Sequence, residues 1–100
     1  MSVLITLRIS ADPAKLEAFG EENADVLKRI TDDAKGRGAI HHQFYGGDGE
    51  VLVVDEWESG EAFQEFFSTQ EEIPTVMQAA GATGEPKVEV WRPLDVGDEF

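Results

Sequence analysis

The tetrad Gly46-Gly47-Asp48-Gly49 constrains this chain more than any other feature, because alternating apolar runs flank it on both sides. Residues 39–45 and 50–57 each alternate with period two, and a glycine-rich turn between two such runs is a strong hairpin signal. With Gly47-Asp48 as the turn, Phe44 faces Val51, His42 faces Val53 and Ile40 faces Asp55. Tyr45, Gln43 and His41 then share the opposite face. On either side of the hairpin the chain carries one further strand and one helical region, in mirrored order.

Residues 3–9 read as a strand with Val3, Ile5, Leu7 and Ile9 on one face and Leu4, Thr6 and Arg8 on the other. Asp12-Pro13 marks a helix start, Asp12 as the cap and Pro13 in the first turn. Leu16, Phe19, Val26 and Ile30 follow at helical spacing with Asn23 on the same stripe, predicting one long helix that ends at Gly36 and Gly38. Lys28, Arg29 and Lys35 suit its negative C-terminal end. Beyond the hairpin, Ser59 caps a helix bearing Ala62, Phe63, Phe66 and Phe67. A break near Thr69 precedes a helical piece over 71–80, and Gly81 and Gly84 flank a loop. Residues 87–92 form a last strand, Pro93 stops it, and 93–100 are an acidic tail with Leu94, Val96 and Phe100 as apolar anchors.

The expected fold class is therefore α+β: a ferredoxin-like βαββαβ arrangement with a four-stranded antiparallel sheet and both helical regions on one face. The other face carries Leu4, Thr6, Leu52, Val54 and Trp91 among Arg8, Gln43 and Glu89, too much apolar surface for water alone. Packing it against a second copy gives a homodimer, a dimeric α/β barrel, in which Arg8 and Glu89 can pair within the seam. One hundred residues make a single domain, 1–100.

Composition narrows function mainly by exclusion. Eight Lys and Arg stand against 21 Asp and Glu, a net charge of −13. Nucleic acid and anionic membrane surfaces both need clustered cations and are not expected partners. The chain has no cysteine, which removes thiolate chemistry and zinc–thiolate sites. No run approaches the ~18 apolar residues of a membrane span and no signal-peptide pattern opens the chain, so the expectation is a cytoplasmic protein. The Gly-rich tetrad joins two strands and opens no helix, so it is no phosphate loop.

The segment Glu50-Val-Leu-Val-Val-Asp-Glu-Trp-Glu-Ser-Gly-Glu-Ala-Phe63, a strand ending in Trp followed by Ser-x-Glu-Ala-Phe at a helix start, resembles the antibiotic-biosynthesis-monooxygenase superfamily. The element order agrees over residues 3–92. The resemblance implies a dimeric α/β barrel whose substrate cavity lies between sheet and helices. Superfamily activities include cofactor-free oxygenation of polycyclic phenols and haem degradation. Haem-degrading members use an Asn, a Trp and an iron-ligating His; the matching positions here are Leu7, Phe66 and Val76, none able to do that work.

Within that frame His42 and Asp55 are the candidate catalytic residues. An imidazole on the helix-facing side of the sheet is suited to act as general base on a phenol. A carboxylate on the same, mostly apolar face needs a partner and can orient the imidazole; the ordinary alternatives are a structural histidine and a strand-end salt bridge. Trp57 either walls a flat aromatic ligand or packs as core. Asn23, Phe63 and Phe66 complete the candidate substrate-binding set, with Asn23 reaching the cavity or serving a helix-side hydrogen bond and the phenylalanines also readable as core. His41 falls on the dimer face. No cofactor and no metal site is expected. Two functions fit: a cofactor-independent monooxygenase-like enzyme for an aromatic or quinone-like substrate, or a non-catalytic dimeric protein that binds a small aromatic ligand or answers stress.

Overall fold

A computed structural model describes all residues 1–100. Strand β1 (Val3–Ser10) turns Ile5, Leu7 and Ile9 into the core and leaves Arg8 and Ser10 exposed, as period-two alternation requires. Helix α1 (Pro13–Glu22) opens where Asp12 Oδ1 accepts the Ala14 N–H at 2.9 Å. The expected single long helix is in fact two. Asn23 leaves helical geometry (φ −132°, ψ 45°), ends α1 and begins α2 (Ala24–Gly36). Its side-chain amide donates to the Phe19 carbonyl at 3.3 Å, an example of the local polar competition that disfavours Asn inside helices.

Strands β2 (Ala39–Gly46) and β3 (Glu50–Trp57) form the hairpin. The Gly47 N–H donates to the Glu50 carbonyl at 2.8 Å, so Asp48-Gly49 forms the tip, with Gly49 at φ +71°, where a side chain is disfavoured. The turn thus lies one residue later than expected. Because both strands shift, every pairing moves by two: Phe44 faces Val53, Tyr45 faces Leu52 and His42 faces Asp55. Residues 42–46 keep their expected faces of the sheet. An irregularity between Ala39 and His41 leaves Ile40 as the extra residue on β2.

Helix α3 (Gly60–Thr69) starts with Ser59 Oγ accepting the Ala62 N–H at 3.1 Å and buries Phe63 and Phe66. Helix α4 (Ile73–Ala79) follows the expected break and buries Val76. Strand β4 (Thr83–Trp91) begins earlier than the expected residue 87, because Gly84 at φ +71° and a register shift opposite Arg8 and Ser10 carry the pairing through the predicted loop. Its Pro86 is tolerated on an edge strand.

The sheet order is β2-β3-β1-β4, antiparallel throughout, a ferredoxin-like fold with four helices in a β-αα-β-β-αα-β sequence. Ile5, Trp57 and Phe63 are fully enclosed, and each such side chain contributes roughly 1.5–3 kcal/mol by burial. On the opposite face Leu4, Tyr45 and Trp91 are exposed, and Trp91 Nε1 donates to Thr6 Oγ1 at 3.0 Å. The expected Arg8–Glu89 pair does not form. The register sets Arg8 opposite Lys87 and Glu89 opposite Thr6, and Arg8 lies 3.6 Å from Glu50 instead. Residues 92–100 carry no helix or strand, and Leu94, Val96 and Phe100 stand exposed.

Candidate active site

A cavity of about 610 Å³ lies between the sheet and the helices. Its wall is mostly aliphatic and aromatic: Leu7 and Val53 from the sheet, Ile30 and Ala34 from α2, Phe63 and Phe66 from α3. Its polar lining comes from five residues, Thr31 and Lys35 on α2, His41 and His42 on β2, and Asp55 on β3. A largely apolar pocket of this size with a few convergent polar groups is the usual form of a small-molecule site.

Three side chains on adjacent strands are joined in a relay. Trp57 Nε1 donates to Asp55 Oδ2 at 3.1 Å, and His42 Nδ1 lies 2.7 Å from Asp55 Oδ1. Asp55 is the one charged residue in the core, only 7% exposed. Its two oxygens are each engaged by one neighbour, which answers the cost of burying the carboxylate. A carboxylate oxygen only accepts, so Nδ1 carries the proton in this pair, and in the neutral imidazole Nε2 then holds the lone pair. The His42 side chain remains 35% exposed and borders the cavity. Its ring packs edge-on against Phe44, centroids 4.8 Å apart. The direct contact with Asp55 follows from the displaced turn, which sets the two residues opposite each other instead of diagonally.

The remaining candidates divide. Phe63 and Phe66 border the cavity while packing on Trp57, with centroids 5.6 and 5.1 Å from its ring. Trp57 does not wall the cavity: it is wholly buried beneath α3, and its indole N–H serves Asp55. Asn23 does not reach the cavity either, its side chain being turned to the α1–α2 junction. His41, expected on the opposite face, contributes to the cavity wall beside the Ile40 irregularity. Thr31 and Lys35 were missed by the sequence reading, although Leu27, Thr31 and Lys35 recur at i, i+4 spacing. A single helical phase run through Asn23 points to Phe19 and Val26 instead, and neither lines the cavity. No three His, Asp or Glu side chains gather as a metal-binding group.

Polar ties hold α2 along the edge of the second helical pair. Arg29 meets Glu72 at 2.7 Å, the Gln70 amide donates to Asp33 at 2.7 Å, and Arg37 donates to Thr69 Oγ1 at 2.7 Å. The hydrogen bond from Arg29 holds the Glu72 carboxyl below its ordinary value and raises the guanidinium above its own.

Residues 2–72 match the family model described as antibiotic biosynthesis monooxygenase. The chain belongs to that family. Solved structures agree with the family fold at low identity. SnoaB, a cofactor-independent oxygenase from Streptomyces nogalater, is 16% identical with a TM-score of 0.62, each chain covered to 98%. Rv0793 from Mycobacterium tuberculosis is 18% identical with a TM-score of 0.61, covering 98% of this chain and 100% of its own. A dimeric ferredoxin-like protein from an uncultured marine organism is 17% identical with a TM-score of 0.67, covering 99% of this chain and 90% of its own. No curated protein sequence matches the chain. The family match ends just before α4, so the cavity wall supplied by Val76 and Met77 lies outside the matched segment.

Proposed function

We propose that this family member is a cofactor-independent monooxygenase for a phenolic or quinone-like aromatic, with His42 as general base and Asp55 as the residue that positions it. The observation that carries the reading is the buried Asp55 fixing His42 Nδ1 at 2.7 Å on the wall of a mostly apolar cavity. Nε2 takes the proton of the acidic O–H. The resulting electron-rich anion reacts with O2; one oxygen atom enters the product and the other leaves as water, the substrate supplying both electrons. The surrounding apolar wall limits access of water to the anion. Phe63 and Phe66 contact the ring system, and Trp57 acts through Asp55. Oxygen uptake with a panel of polycyclic phenols tests this: His42→Ala is expected to lose roughly 10²- to 10⁴-fold in turnover with its circular dichroism unchanged. Turnover equal to the native protein would refute the base assignment. Affinity without any oxygen uptake would leave a binding protein of the same fold.

The functional unit in this reading is a homodimer in the cytoplasm. Support comes from the helix-free sheet face, where Trp91 is 49% and Leu4 40% exposed beside half-buried Leu52 and Val54, and from the dimeric marine relative. Joining two such faces buries on the order of 1,500–2,500 Å². Val54→Glu sets an unpaired charge in that seam and is expected to dissociate or unfold the protein. Sedimentation of the native chain as a monomer at micromolar concentration would remove the dimer. No helix is long and apolar enough to cross a membrane.

A further inference from the structure

The formal charges along the cavity wall are two: Asp55, already engaged by Trp57 and His42, and Lys35. Lys35 is exposed at the rim and forms no ion pair, in a chain where acidic residues outnumber basic ones 21 to 8. Its near neighbour Asp32 is hydrogen-bonded by Lys28 at 2.7 Å and draws on Lys35 only through a weaker Coulombic attraction, without contact. Arg29 on the same helix and Arg37 just past its end are likewise engaged, by Glu72 and Asp33. Thr31, one turn before Lys35, donates its hydroxyl to the Lys28 carbonyl at 3.1 Å and has no proton left to offer. Among the polar side chains that line the cavity, Lys35 therefore supplies a cationic donor outside any ion pair, and the neutral imidazole of His42 supplies a lone pair at Nε2.

We infer that Lys35 is a specificity residue that selects aromatics bearing a carboxylate in addition to the acidic hydroxyl. The inference rests on the proposed cavity and on His42 receiving the hydroxyl. A net charge of −13 repels anions at a distance, so an anionic substrate needs a local cation, and the cavity supplies one. The flexible stem of lysine lets the ammonium follow a carboxylate at the mouth while the ring system fills the apolar interior.

Calorimetric titration of the full chain with hydroxynaphthoic acid and with its neutral carboxamide, at low ionic strength and about pH 8, where the acid's carboxyl is ionised, tests the assignment. The native protein is expected to bind the acid about fivefold more tightly than the amide, the value of a partly exposed ion pair, and to lose that preference as salt rises. Lys35→Met should bind both alike, and Lys35→Arg should keep the preference. Equal affinities in the native protein, a preference that survives Lys35→Met, or binding of neither probe would overturn the inference. Oxygen uptake separates the two proposals. Preference without uptake supports Lys35 and removes the oxygenase reading, whereas uptake without preference does the reverse.

Discussion

Helices α2 and α3 lie over the same face of the sheet, yet only α3 buries side chains against it. Phe63 and Phe66 are enclosed, Phe63 stacks on Phe67 at 5.4 Å, and both buried rings pack on Trp57. Helix α2 buries no residue. It turns Leu27, Ile30 and Ala34 toward the sheet, and these smaller side chains leave the cavity unfilled. What α3 obtains from aromatic packing, α2 obtains from polar ties along its edge, Arg29 to Glu72 and Asp33 to Gln70. Enclosed packing is thereby concentrated in α3, whose Phe63 and Phe66 also border the cavity, while α2 contributes wall without enclosing a side chain. An interior packed evenly to native density would have no room for a substrate.

The largest expected difference lies in truncation. Phe63→Ala should cost about 3–5 kcal/mol, whereas Ile30→Ala, at a wall that already borders a void, should cost about 1 kcal/mol. Urea denaturation of the two variants measures this, and equal losses would break the division. Enlargement should sharpen it. Ala34→Leu fills cavity space and should change stability by less than about 1 kcal/mol while abolishing ligand binding. Ala62→Leu on α3 should cost about 1–3 kcal/mol by overpacking, because Ala62 packs against the core beneath the α2–β2 junction at Gly38. Thermal melts with a binding titration check the pair, and tolerance at Ala62 would count against the contrast.

The smallest effect concerns acid. The Glu72 carboxyl titrates below its ordinary value of 4.5 because Arg29 hydrogen-bonds to it. The tie is therefore complete above that value and is lost as pH falls through the lower folded value. Amide exchange in α2 should rise over that acid range in the native protein. Glu72→Gln should show faster exchange already near neutrality and no further acid step from this carboxyl. Arg29 is exposed and Glu72 partly so, and neither packs in the aromatic core, so α3 should not respond; an equal response in α3 would mean that the helices open together.

The parts of this architecture legible in the sequence are those set by parity and local chemistry. Alternation placed His42, Asp55 and Trp57 on the helix-facing side, and that survived a wrong turn position because displacing a hairpin by one residue moves partners by two. The direct His42–Asp55 contact was not legible, since Gly46-Gly47-Asp48-Gly49 offers more than one turn. The break at Asn23 was hidden because its position fits the helical stripe while its side chain satisfies the Phe19 carbonyl. The depth of Trp57 depends on where α3 crosses the sheet, which is a matter of three-dimensional packing and not of strand pattern.

The edge ties on α2 also bear on how a protein like this can change over generations. Residues 25, 29, 33 and 37 hold the helix in place from its outer side, while 27, 30, 31, 34 and 35 face the cavity. Mutations in the second set alter what the cavity accepts and leave the first set intact. A lineage can therefore vary the cavity along one helix, with the aromatic packing of Trp57 beneath α3 and the sheet hydrogen bonds as an unchanged background.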